Sequence, residues 1–88
     1  MANSIKSDDA VIRKAKLEKM VKDAGFDSIF QFTKENNFDM ANIYKNLNGT
    51  WKMSMKRMFE LANALRVPVG RVIELFYPDE YEENMRLS

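Results

Sequence analysis

Apolar positions recur along this chain at spacings of three and four, the period of a helix with one buried face, and no stretch predicts a strand. The pattern predicts five helices. The first starts after Ser7, whose hydroxyl can cap free amides, with Asp8 and Asp9 set against the positive helix end. Its stripe is Leu17, Met20, Val21 and Ala24, and Gly25 ends it. Ser28-Ile29-Phe30-Gln31 matches a capping box and opens the second helix, with Ile29, Phe32 and Thr33 facing inward. Asn36-Asn37 stops that helix, because asparagine tolerates the left-handed backbone of a tight turn. Phe38 plugs the turn and Asp39 caps the third helix.

In the third helix Ile43 and Leu47 share a face with Met40 beside them, while Ala41, Asn42, Lys45 and Asn48 fall on the opposite edge at about 100° per residue. Gly49 closes it. Ser54 can cap the fourth helix, with Met55, Met58, Leu61, Ala62 and Leu65 inward, and core filling is the expected role of Met20, Met55 and Met58. Pro68 suits the first turn of a fifth helix with the stripe Val69, Val72, Ile73 and Phe76, which Pro78 terminates. The expected fold class is all-α. The expected organisation is a tail over 1–7, one domain over 8–77 and an acidic C-terminal tail over 78–88.

Composition removes several kinds of function. With 88 residues the chain suits one domain with a small core. It has no cysteine and no histidine, so there is no disulfide framework, and neither a zinc site nor the usual nucleophile–base pairs of hydrolases is expected. No glycine-rich phosphate loop and no carboxylate pair in a plausible cleft is visible, so neither an enzyme nor a cofactor is expected. No apolar run approaches the roughly 20 residues that span a membrane, and no signal-peptide core is visible, so a cytoplasmic protein is expected.

Net charge is only +1, yet its distribution is uneven. From Met40 to Phe59 there is no acid, and the bases are Lys45, Lys52, Lys56 and Arg57. Residues 77–88 reverse the sign, with Asp79, Glu80, Glu82 and Glu83 against Arg86. A near-neutral total with one acid-free segment suits a protein that meets DNA on one face and is solvated elsewhere.

The order of elements over about Ile12 to Phe76 resembles the phage repressor and Cro-like (XRE) helix-turn-helix family. Three stretches carry the resemblance. Phe32-Thr33-Lys34-Glu35-Asn36-Asn37-Phe38-Asp39 stands where that family has its second helix and turn. Ile43-Tyr44-Lys45-Asn46-Leu47-Asn48-Gly49 resembles the end of its recognition helix. Leu61-Ala62-Asn63-Ala64-Leu65-Arg66-Val67-Pro68-Val69 resembles its fourth helix and following turn. Departures are Thr33 for a small alanine, Asn37 for the turn glycine, Ile29 for a polar residue, and Asn36 and Asn46 at positions commonly apolar. Leu47 is expected to take over the packing from Asn46, with a small rotation of the helix.

The resemblance implies a five-helix repressor-like domain that binds double-stranded DNA, commonly as a homodimer on inverted half-sites, with the helix near 40–48 in the major groove. Lys45, at the centre of the outward edge, is placed to donate to guanine O6 or N7. Asn42 and Asn48 can reach base edges or phosphates, although Asn48 beside Gly49 also suits a cap; Ala41 can touch a thymine methyl. Tyr44 serves either a phosphate or the support of the first helix. Trp51 is either core or a backbone contact. Thr50, Lys52, Lys56 and Gln31 are phosphate candidates, with Lys34 weaker. A rival reading is a protein-binding module on the same scaffold: an antitoxin, a repressor modulator or a phage-encoded inhibitor. Tyr77, Tyr81, Met85 and Leu87 would then give the C-terminal segment apolar anchors for a protein partner or a dimer arm.

Overall fold

The computed structural model describes residues 7–87, with side chains over 9–86, and every regular element among them is helical. Six helices are present there: α1 (Ser7–Asp23), α2 (Ile29–Glu35), α3 (Met40–Leu47), α4 (Met55–Leu65), α5 (Val69–Phe76) and α6 (Pro78–Leu87). The chain divides into two units, one ending at Lys52 and the other beginning at Met53. The cap expected of the Ser7 side chain, the placement of Asp8, the tail before Ser7 and the Leu87 side chain lie outside the described residues.

In the first unit α1, α2 and α3 pack on one another. Leu17, Val21, Ile29, Phe32, Ile43 and Leu47 are buried, as the stripes predict, and Met20 and Ala24 are half-buried. Phe32 is the pivot: the Phe26 ring meets it edge-on at 5.1 Å and the Phe38 ring stacks on it at 5.6 Å. Phe38, the expected plug of the turn, is half-buried in that stack. Thr33 is buried and donates its hydroxyl to the Phe30 carbonyl at 3.0 Å, so its polar atom is satisfied inside the helix.

Local chemistry explains the helix boundaries. The Ser28 Oγ accepts from the Gln31 amide at 3.0 Å, and Gln31 Oε1 reaches back to the Asp27 amide. This is the expected box with its return bond one residue early. Asn37 takes φ 59°, the left-handed conformation expected of the turn, and Asp39 Oδ1 accepts from the Ala41 amide at 2.9 Å to start α3.

In the second unit α5 packs against both α4 and α6. Its buried set is Met53, Met58, Leu61, Ala62, Leu65, Val72, Leu75 and Phe76. Ser54 caps α4 by accepting from the Arg57 amide at 3.1 Å. Met55 corrects the expected inward stripe: it is 54% exposed at the first position of α4, and Met53, ahead of the helix, is buried instead. Pro68 stands at the N-cap of α5 rather than inside its first turn.

The largest departure is α6, where a tail was expected and Pro78 was read only as a terminator. A proline lacks the amide that a helix start leaves unsatisfied, so Pro78 ends α5 and begins α6. Asp79 and Glu80 in the first turn and Arg86 in the last match the helix dipole. Tyr77 joins the two ends of this unit, donating its hydroxyl to the Met53 carbonyl at 3.1 Å. No described helix is long and apolar enough to cross a membrane.

Candidate functional site

α3 is eight residues long and divides cleanly. Ile43 and Leu47 are buried, which holds one edge against the first unit, and Ala41, Lys45 and Asn48 on the other edge are exposed, with Asn42 half-buried. Asn46 is only half-buried beside the buried Leu47, in line with Leu47 taking over the packing.

Beyond α3 the chain folds back on the helix's last turn. Asn48 Oδ1 accepts from the Thr50 amide at 2.9 Å, so the Asn48 carboxamide does serve locally and keeps its NH2 group as an outward donor. Gly49 takes φ 83°, a conformation that costs glycine little. Trp51 then returns: its amide donates to the Lys45 carbonyl at 3.1 Å, and its carbonyl accepts from Asn46 Nδ2 at 2.9 Å. The indole is 48% exposed, so the core role open to a lone tryptophan does not apply. Lys45 Nζ lies 4.1 Å from the indole centroid, within the range of a cation–π contact. Thr50 and Lys52 are exposed on either side.

Other candidates are placed less closely. Tyr44 is half-buried under Lys14 of α1, whose Nζ is 5.5 Å from the ring, which favours its supporting role over a free hydroxyl face. Gln31 is half-buried, with its Oε1 taken by the α2 cap. On α2 an exposed Phe30 lies under Lys34 Nζ at 5.9 Å. Lys56 is exposed on α4 and belongs to the second unit. Arg57, of the same acid-free segment, meets Glu60 at 3.1 Å, which offsets its charge.

The first unit thus brings Lys45, Asn48, Thr50 and Trp51 together with Asn46, which sequence reasoning passed over. A carboxamide at a position commonly apolar was the available signal, since a side chain unsuited to packing is suited to hydrogen bonding. The patch combines one exposed cation set against a half-exposed indole with two side-chain amides. That chemistry suits anionic and base-edge ligands and offers no acid–base pair for catalysis. Among the described residues no group of histidine, cysteine and acidic side chains is placed to hold a metal ion. Comparison of the chain with protein-family models, with curated proteins and with solved structures finds no match.

Proposed function

We propose that this chain binds double-stranded DNA sequence-specifically and regulates transcription, as a repressor of the phage or mobile-element kind. α2, the turn over 36–39 and α3 act as a helix-turn-helix, with α3 in the major groove. The observation that carries this reading is α3 itself, which buries Ile43 and Leu47 and turns Ala41, Lys45 and Asn48 outward within an acid-free segment. The resemblance to the repressor and Cro-like family supports the same reading.

On it, Lys45 donates to guanine O6 or N7, Asn42 and the free amide of Asn48 meet neighbouring edges or phosphates, and Ala41 faces a thymine methyl. Thr50, Trp51 and Lys52 meet the sugar-phosphate backbone and fix register, with Lys56, Tyr44 and Gln31 in secondary roles. The protein acts as a homodimer, without cofactor or catalysis, because two half-sites one DNA turn apart match a two-fold pair of α3 helices.

The test is DNA anisotropy with a labelled mixed-sequence duplex at low and moderate salt. Binding should fall steeply as salt rises, because each neutralised phosphate releases counterions, and Lys45→Glu and Lys52→Glu should each weaken it. No binding by the wild-type protein at low salt would overturn the reading. The protein-partner alternative would then lead, resting on the acidic α6, where Met85 is 60% exposed.

A further inference from the structure

Three helices end with one closure. After α1 the amides of Phe26 and Gly25 return to the carbonyls of Val21 and Lys22; after α2 those of Phe38 and Asn37 return to Thr33 and Lys34; after α4 those of Val67 and Arg66 return to Ala62 and Asn63. α3 makes the inner bond, Gly49 amide to Asn46 carbonyl at 3.3 Å, and then departs. Asn48 Oδ1 diverts the Thr50 amide, so the amide that reaches the Lys45 carbonyl is that of Trp51, one residue later. The Trp51 carbonyl is then tied to Asn46 Nδ2. Both backbone polar groups of Trp51 are therefore anchored on two consecutive residues of α3, and its indole lies under the ammonium of the first.

We propose that Trp51 and Asn46 are positioning residues that set the specificity of Lys45: Asn46 clamps Trp51, and the indole holds the lysine ammonium in the orientation from which it reads one base-pair edge. The inference rests on the DNA reading above and names what tunes that site. A solvated lysine has four side-chain torsions to immobilise on binding, and one held at 4.1 Å from a ring centroid has already given up part of that freedom. An exposed cation–π contact biases the held state by about two- to five-fold. The bias acts on base discrimination, because the phosphate contacts of Lys52 and Thr50 do not pass through it.

Two measurements test the proposal. In the free protein, NMR should place the terminal side-chain methylene protons of Lys45 upfield through the indole ring current. The shift should disappear in Trp51→Leu, diminish in Asn46→Ala and persist in Trp51→Phe. A binding-site selection from a randomised duplex library then compares these variants with Lys45→Ala. The base pair whose preference is erased by Lys45→Ala should lose about two- to five-fold of its preference in Trp51→Leu and Asn46→Ala, and recover in Trp51→Phe. Binding to mixed-sequence duplex should change little in Asn46→Ala, since Asn46 is assigned no contact with DNA and acts through Trp51. Preference unchanged in Trp51→Leu but erased in Lys45→Ala would overturn the positioning role while leaving the DNA reading intact. So would a Lys45 methylene shift that is the same with and without the indole. Failure of the wild-type protein to bind any duplex would overturn both.

Discussion

Arg66 holds the chain reversal after α4 at φ 61°, ψ 41°, in the left-handed region where a side chain crowds the following carbonyl. The other two ends with this closure use Gly25 at φ 100° and Asn37 at φ 59°. Glycine has no Cβ to crowd and asparagine tolerates the region, so arginine is the strained member of the set. Arg66→Gly should raise stability by up to about 1 kcal/mol, the relief of strain being partly offset by the greater freedom glycine has when unfolded. Thermal denaturation checks the sign. A lower midpoint would mean that the Arg66 side chain makes a stabilising contact worth more than its backbone strain.

At the scale of elements, α5 and α6 meet where Gly70 leaves room for Tyr81. A Cβ built on Gly70 would lie 3.6 Å from Tyr81 Cε1, an ordinary contact. Glycine inside a helix costs about 1 kcal/mol relative to alanine, so Gly70→Ala should stabilise the second unit by up to that amount, read as a higher denaturant midpoint. A loss instead would show that the α5–α6 packing has no slack.

How far the sequence shows the fold differs from helix to helix. The stripes of α2 and α3 and the caps Ser28, Asp39 and Ser54 were legible, because period and capping are local properties. Pro78 was not, because a proline reads equally as a stop and as a start, and only the packing of Tyr81 against α5 separates the two. Met53 and Met55 could not be ranked either: which of two methionines flanking a cap is buried depends on the neighbouring helix. At the candidate site, the outward residues of α3 were predictable from the helical period. The clamp from Asn46 to Trp51 was not, since it arises from a one-residue detour in a loop that periodicity does not reach.

For the molecule as a whole, the length of α3 has a statistical consequence. Eight residues rise about 12 Å, and at 3.4 Å per base pair such a helix spans about four base pairs. A four-letter word recurs by chance roughly every 256 base pairs, too often to mark one control region among the competing sites of a genome. Pairing two such words at fixed spacing squares the interval to roughly 65,000 base pairs. On the DNA reading, selection should therefore return two short inverted words one helical turn apart, and a single isolated word would show that one copy binds alone. On that same reading, a helix this brief carries too little information by itself, and the address is completed by a second word and its distance from the first.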